Sequence, residues 1–141
     1  MVVALGLSVA CGGSTEATTA ANDFPVGTWA LQSYNGGPLP HTVTNSSNVT
    51  ESMTGGTIRF MPSSYVIDLR ISRTVGDSVY YPNYYEVGSY MTDSAGLALR
   101  PNDIPGGTGN PAFLPPPVRV THKANTISFL QQGKVLEFVK Q

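Results

Sequence analysis

The feature that most constrains the fold is a run of alternating side chains at residues 65–73, YVIDLRISR. Every second residue is a large apolar one that is expected to face a core (Tyr65, Ile67, Leu69 and Ile71), while Val66, Asp68, Arg70 and Ser72 are expected to face outward. A helix would need apolar residues three and four positions apart, and this run does not supply that spacing. The run therefore predicts a β-strand with one buried face and one solvated face.

The same arrangement, a short β run ended by Gly, Pro or a polar turn, repeats along the chain. Only 12% of the 141 residues are charged, whereas 15 Gly and 11 Pro favour turns and seven Tyr with five Phe favour strands. About nine short strands with hairpin-length links predict an all-β domain over residues 24–141. We expect an antiparallel up-and-down meander barrel of about 8–9 strands, or else a small sandwich. Closure is favoured because it removes unpaired sheet edges.

Two local predictions concern the first third of this domain. Residues 26–34 are expected to form the first strand, with Trp29 and Leu31 on one face and Tyr34 on the other, followed by a turn at residues 35–38, NGGP. Residues 44–54, TNSSNVTESMT, are expected to be a loop. In the hairpin that follows, Ile58 and Phe60 should share one strand face.

The N-terminal segment predicts where in the cell the protein is located. Residues 1–10, MVVALGLSVA, are typical of the end of a signal-peptide apolar region and are too short to span a bilayer, which takes about 20 apolar residues. Residues 7–11, LSVAC, resemble the bacterial lipobox, although Ser8 stands where an aliphatic residue is usual. We expect Cys11 to be lipidated, residues 11–23 to be a flexible tether, and the protein to be anchored to a membrane of the bacterial envelope, facing the periplasm or the exterior. An ordinary secreted protein and a buried structural cysteine are the alternatives.

Several motifs resemble those of the lipocalin-like small β-barrel lipoproteins of bacteria. They are Gly27-Thr28-Trp29 with the turn at residues 35–40, NGGPLP, then Gly88-Ser89-Tyr90, then Asn125-Thr126-Ile127. The resemblance covers roughly residues 24–141 and implies an up-and-down barrel with Trp29 across its base. True lipocalins stack an arginine of the last strand on that tryptophan. Here no Arg follows Arg119, and only Lys140 is placed to substitute, so the sequence gives no support for a cation–π contact at Trp29.

The resemblance implies a binding protein for a small hydrophobic molecule. Inward residues of the barrel would line the ligand site: Trp29, Leu31, Ile58, Phe60, Ile67, Leu69 and Tyr90. The same residues would serve equally well as a packed core. The alternative is therefore a structural or protein-interaction lipoprotein, whose contact surface would be the tyrosine-rich rim: Tyr80, Tyr81, Tyr84 and Tyr85.

No residue pattern predicts catalysis, a metal or a cofactor. His41 and His122 lack metal-ligand spacing, and no nucleophile motif occurs. Asp68 and Glu86 are expected to be outward strand carboxylates with no partner for acid–base chemistry. A net charge of −1 gives no electrostatic basis for binding nucleic acid. The proline-rich residues 101–117 are expected to form a loop, either functional at the barrel mouth or a neutral insertion.

Overall fold

A computed structural model describes residues 25–102 and 116–141 of the chain. The predictions for the signal segment, Cys11 and the tether, and those for most of the proline-rich loop, lie outside these residues. Eleven β-strands and no helix occur in the described part of the chain. The strands are β1 (Gly27–Tyr34), β2 (Gly37–Pro38), β3 (His41–Asn45), β4 (Val49–Phe60), β5 (Ser64–Val75), β6 (Ser78–Tyr80), β7 (Asn83–Asp93), β8 (Gly96–Pro101), β9 (Val118–Lys123), β10 (Thr126–Gln131) and β11 (Lys134–Lys140).

Eight of these strands close into an antiparallel barrel. Around the ring they follow the order β1, β11, β10, β9, β8, β7, β5 and β4, and β4 pairs with β1 to complete the circle. The three remaining strands are accessory, because β2 pairs with β1, β3 with β4 and β6 with β5. The predicted up-and-down meander barrel is confirmed, and the larger strand count comes from these short additions.

The two ends of the barrel differ in their filling. We call base the end where β1 begins and β11 ends, and mouth the end where β1 ends and β10 meets β11. The base half is packed with large side chains that are fully buried: Trp29, Ile58, Phe60, Tyr65, Ile67, Ile127 and Phe138. Aromatic contacts order this region, with Phe129 stacked on Phe138 at 5.5 Å and Phe60 edge-on to Tyr90 at 5.4 Å between ring centroids.

Trp29 is held at the base on several sides. Its indole Nε1–H donates to the carbonyl of Pro25 at 2.9 Å, and the ring of His122 meets it edge-on at 6.3 Å. The Nζ atom of Lys140 lies 5.7 Å from the centre of the indole ring, a cation–π distance. The sequence offers no support for this contact, and the structure shows it with Lys140, the one residue placed to substitute for the arginine. Lys140 supplies the cation because it is paired in register with Trp29 across β11 and β1.

A β-bulge in the first strand explains why the predicted orientation of Tyr34 is wrong. Tyr34 was expected on the outer face, but it is buried with Trp29 and Leu31. The pairing of β1 with β11 shifts register between Leu31 and Ser33, so that an extra residue moves Tyr34 to the inner face. This shift places a tyrosine at the barrel mouth.

The predicted loop at residues 44–54 is also wrong. These residues belong to the hairpin of β3 and β4, which pairs Thr42 with Ser52 and Thr44 with Glu51. Polar side chains do not prevent pairing there, because the backbone of β4 is bonded on both sides, to β3 and to β5. As a result β4 and β5 each run for 12 residues and extend past the ring at the mouth.

Candidate ligand-binding cavity at the barrel mouth

The mouth half of the barrel contains a cavity of about 190 Å³. Its wall combines apolar side chains from β3, β4, β5 and β11 with polar groups from β1, β4, β7 and β10. The lining residues are Tyr34, Val43, Glu51, Met53, Leu69, Ile71, Tyr84, Gln131, Gln132 and Leu136. A concave, partly open space with apolar walls and a few placed polar groups is a usual form of a small-molecule site.

A polar cluster stands behind one wall of the cavity and is centred on the carboxylate of Glu86. The hydroxyl of Tyr65 donates to Glu86 Oε1 at 2.8 Å, and the hydroxyl of Tyr84 donates to Oε2. The amide of Gln131 donates from Nε2 to both Glu86 Oε2 and the Tyr84 hydroxyl oxygen, each at 3.0 Å. Strands β5, β7 and β10 thus meet through one hydrogen-bond network inside the barrel.

The prediction that Glu86 is an outward carboxylate is wrong. Register pairs Ile67 with Glu86 and Leu69 with Tyr84, and all four side chains share the inner face. Tyr90, which was predicted to face inward, lies four residues further along β7 and therefore on the same face as Glu86. Asp68, in contrast, lies on the outer face of β5 as predicted, opposite Thr57 and Tyr85.

Gly88 makes room for this network. It lies on the inner face of β7 directly opposite Tyr65. A Cβ atom at Gly88 would lie 2.3 Å from the carbonyl oxygen of Arg100 and 2.6–2.7 Å from the Tyr65 ring, so no side chain fits. The glycine therefore lets the Tyr65 ring lie across β7, from where its hydroxyl reaches Glu86.

The two tyrosines of the network are held in their protonated form. Burial raises the pKa of the Tyr65 hydroxyl well above its ordinary value, and the hydrogen bond to the Glu86 carboxylate raises it further. Burial and the same carboxylate raise the pKa of Tyr84, while the hydrogen bond from Gln131 acts in the opposite direction. Both hydroxyls consequently remain donors to Glu86 at any physiological pH.

The rim of the cavity carries an ion pair. Glu51 lines the wall, and its Oε1 lies 3.3 Å from Nε of Arg73 on the neighbouring strand. Tyr34 also lines the wall and is only 9% exposed, with its ring 5.7 Å from that of His41. The polar groups of the rim thus come from β1, β4 and β5.

The sequence-predicted ligand residues occupy the barrel interior, but most of them lie below the cavity. Leu69 is part of the cavity wall. The other six belong to the packed core or pack against it: Trp29, Leu31, Ile58, Phe60, Ile67 and Tyr90. Sequence reasoning did not identify Tyr34, Glu51, Met53 or Gln131, whose convergence depends on bulges and on pairing between distant strands.

An aromatic surface lies outside the barrel near its mouth. Tyr80, Tyr81 and Tyr85 are 55%, 77% and 65% exposed, together with Val79. An open depression of about 630 Å³ adjoins it, lined by Arg73, Val75, Tyr80, Tyr81 and Pro82. The tyrosine-rich rim was expected to include Tyr84, and this is wrong because Tyr84 faces inward.

The described residues show no grouping of His, Cys, Asp and Glu side chains that could bind a metal ion. His41 lies against Tyr34, and His122 Nε2 is 2.6 Å from the Ala124 carbonyl oxygen. Within residues 25–102 and 116–141 there is also no helix of the length and apolarity needed to cross a membrane.

Comparison with solved structures finds a lipocalin-like protein from Bacteroides uniformis. It is 14% identical, the match covers 82% of this chain and 97% of that one, and the TM-score is 0.44. No family model matches the chain, and no curated protein matches it. A likeness at this level carries no argument about family or ligand. The fold class rests on the strand pairings, which form the eight-stranded ring that the sequence motifs imply.

Proposed function

We propose that the protein is a bacterial envelope lipoprotein whose barrel reversibly binds one small, largely apolar molecule in the cavity at its mouth. The observation that carries the proposal is the contrast between the two halves of the barrel. The base is filled by buried aromatic and aliphatic side chains, whereas the mouth keeps a cavity of about 190 Å³. The proposal includes no catalytic step and no cofactor.

The size of the cavity limits the ligand. A dry cavity of about 150 Å³ in another protein holds one benzene molecule, so the present cavity suits a single-ring molecule rather than a long lipid. Ligand sites for drug-sized molecules run to about 300–1,000 Å³. The ligand should therefore be smaller than the hydrophobic molecules that open barrels enclose.

The cavity can be tested with a neutral single-ring probe and a pair of matched variants. We expect benzyl alcohol to perturb the NMR signals of Leu69, Ile71 and Leu136 in the full chain. Ile71→Phe adds volume at the cavity wall, and Val66→Phe adds a ring at an outward position of the same strand. Ile71→Phe should weaken the binding by about tenfold or more, because overfilling removes the space that the probe needs.

Val66→Phe should leave the affinity for the probe unchanged within about twofold. Equal binding by both variants would contradict the proposed site, because the probe would then be bound elsewhere. Failure of the unmodified chain to bind the probe would count against the cavity as a ligand site.

The lipid anchor is proposed from the sequence and has its own test. Cys11→Ser, expressed from the complete gene in the native host, should move the protein from the membrane fraction to the soluble fraction, because the thiol that receives the lipid is lost. Fractionation can be followed by immunoblot, with Ser14→Ala, which lies outside the lipobox, as the matched control. Unchanged membrane association of Cys11→Ser would overturn the lipoprotein assignment.

A second candidate function is protein interaction through the exposed aromatic surface. Tyr80, Tyr81 and Tyr85 support it, because exposed tyrosines are enriched in interfaces. Under this alternative, Tyr81→Ser with Tyr85→Ser should abolish a specific complex in envelope extracts while Ile71→Phe leaves that complex intact. Under the cavity proposal, Ile71→Phe should weaken ligand binding, whereas Tyr81→Ser with Tyr85→Ser should leave it intact.

A further inference from the structure

The carboxylate of Glu86 lacks a cationic partner among the described residues. All three of its donors are neutral: the hydroxyls of Tyr65 and Tyr84 and the amide of Gln131. The ion pairs of the described chain involve Glu51 with Arg73 and Asp93 with Arg119. Carboxylates inside proteins are usually paired with a cation, since removing a charge from water is costly. The interior of this barrel therefore has one carboxylate in excess.

The wall of the cavity also offers unused hydrogen-bond acceptors. Gln131 Nε2 donates both of its hydrogens, to Glu86 and to Tyr84. Its Oε1 is an acceptor to which no residue of the described chain donates. Glu51 uses Oε1 for Arg73 and leaves Oε2 as an acceptor. The hydroxyl of Tyr34, a residue 9% exposed in the same wall, makes no hydrogen bond to the described residues.

The charged side chains that line the cavity or bond to its wall sum to a net negative charge. Glu51 and Glu86 contribute two negative charges, and Arg73 contributes one positive charge. Tyr34, Tyr65 and Tyr84 remain neutral because burial raises the pKa of each hydroxyl. Two further titratable groups lie nearby: His41, whose ring lies beside Tyr34, and Lys134, which pairs in register with Gln131 but is exposed and makes no ion pair with Glu51 or Glu86. An anionic ligand would meet two carboxylates, whereas a cationic ligand would restore the balance.

We propose that the ligand is a small organic cation, a primary amine attached to one apolar ring. The ring would occupy the apolar space between Met53, Leu69 and Leu136. The ammonium group would donate to the open acceptors Gln131 Oε1, Glu51 Oε2 and the Tyr34 hydroxyl, which match its three N–H donors. Glu86 lies one side chain behind this wall and supplies the uncompensated charge through a region of low dielectric constant. This inference rests on the proposed ligand-binding function and names the chemical class of the ligand.

Three probes of similar shape and different charge test the inference: benzylamine, benzyl alcohol and benzoate. Titration calorimetry of the full chain at neutral pH should show benzylamine binding at least about tenfold more tightly than benzyl alcohol, a difference of about 1.4 kcal/mol. Benzoate should bind more weakly than both. Glu86→Gln keeps the shape of the side chain and removes its charge. It should reduce the preference for the amine to about twofold or less.

Glu137→Gln is the matched control, since Glu137 lies on the outer face of β11 between the inward residues Leu136 and Phe138. It should keep the full preference for the amine. Glu51→Gln, at the cavity wall, is a second test variant, and its preference for benzylamine over benzyl alcohol should also fall. It replaces Glu86→Gln in the test if Glu86→Gln does not fold. The selectivity of the unmodified chain among the three probes needs no variant at all.

The outcomes separate this inference from the proposed function. Equal affinity for benzylamine and benzyl alcohol would overturn the cationic ligand and leave the cavity as a binding site. A preference for the amine that persists in both Glu86→Gln and Glu51→Gln would also overturn it, because the charge would then act from elsewhere. Failure of all three probes to bind would overturn the ligand class and the proposed cavity site together.

Discussion

The hydrogen bond from Tyr65 to Glu86 should contribute measurably to the stability of the barrel. Tyr65 is fully buried, and its hydroxyl donates to Glu86 Oε1 at 2.8 Å. Tyr65→Phe removes this donor and keeps the ring, which packs beside Phe60 and over Gly88. The substitution therefore isolates the hydrogen bond from the packing of the base.

The expected cost follows from the charge on the acceptor. A hydrogen bond to a charged group contributes about 1.5–3 kcal/mol, more than the ~1 kcal/mol of a neutral pair. After the substitution Glu86 keeps its bonds from Tyr84 and Gln131 but loses one of three donors. A domain spanning residues 24–141 lies between the two sizes for which 1 kcal/mol lowers the melting temperature by roughly 4–8 °C and roughly 2–4 °C, so about 4 °C per kcal/mol applies. Tyr65→Phe should thus lower it by about 6 °C or more.

Urea denaturation measures the loss in free energy of unfolding, and a thermal melt measures the shift in melting temperature. Tryptophan fluorescence follows both, because Trp29 is the single tryptophan and lies in the base. Tyr90→Phe is a matched control, since the Tyr90 hydroxyl donates to the neutral carbonyl of Met61 at 2.9 Å and should cost only about 1 kcal/mol. Tyr81→Phe, at an exposed site, should cost nothing measurable. A loss for Tyr65→Phe no larger than that for Tyr81→Phe would refute the role given to the network.

Two further predictions concern the same network. Burial and Glu86 raise the pKa of Tyr65 and Tyr84 in the folded state, so the unfolded chain loses these protons first. The contribution of these two tyrosines to the free energy of unfolding should be constant up to about pH 10 and then fall by about 1.4 kcal/mol per pH unit for each tyrosine. Tyr65→Phe should reduce that slope in alkaline denaturation curves. Gly88→Ala should destabilise the barrel by about 1–3 kcal/mol or more, since its methyl group overlaps the Arg100 carbonyl and the Tyr65 ring. Ser89→Ala, at the adjacent exposed position, is the control for Gly88→Ala in the same urea assay, and equal stability of the two variants would contradict the close packing at Gly88.

The fold class was accessible from sequence because it depends on local signals. The alternation at residues 65–73 predicted β5 with the correct inward face, and the structure confirms it. The turn predicted at residues 35–38 likewise marks a real hairpin, in which Gly36 adopts a φ of 79°. Such signals are carried by neighbours in the chain, so one sequence is enough to read them.

The cavity was not accessible in the same way because distant pairings build it. Tyr34 faces inward only because of the bulge after Leu31, and a bulge leaves no mark in the apolar pattern of a single strand. Glu86 was expected to face outward because it is charged, but the strand register places it inside. Its partners Tyr65 and Gln131 are 21 and 45 residues away in the chain. The network therefore depends on tertiary contacts that local periodicity does not encode.

The division of the barrel explains why predicted ligand residues and cavity residues differ. Inward-facing residues were the only candidates that alternation could supply, and in the base they fill the interior completely. The cavity exists where β4 and β5 extend beyond the ring and polar side chains replace large apolar ones. A binding function for this protein thus rests on the mouth half alone, with the base as its rigid support.

The most direct test of the account is native mass spectrometry of the full chain purified gently from its own host. We predict a bound small molecule that leaves on denaturation and is absent from an Ile71→Phe copy purified in parallel, while a Val66→Phe copy retains it. The mass of the released molecule would show whether it is a single-ring amine. A clean apo mass for the unmodified chain, under conditions that preserve weak complexes, would contradict ligand binding as the function of the cavity.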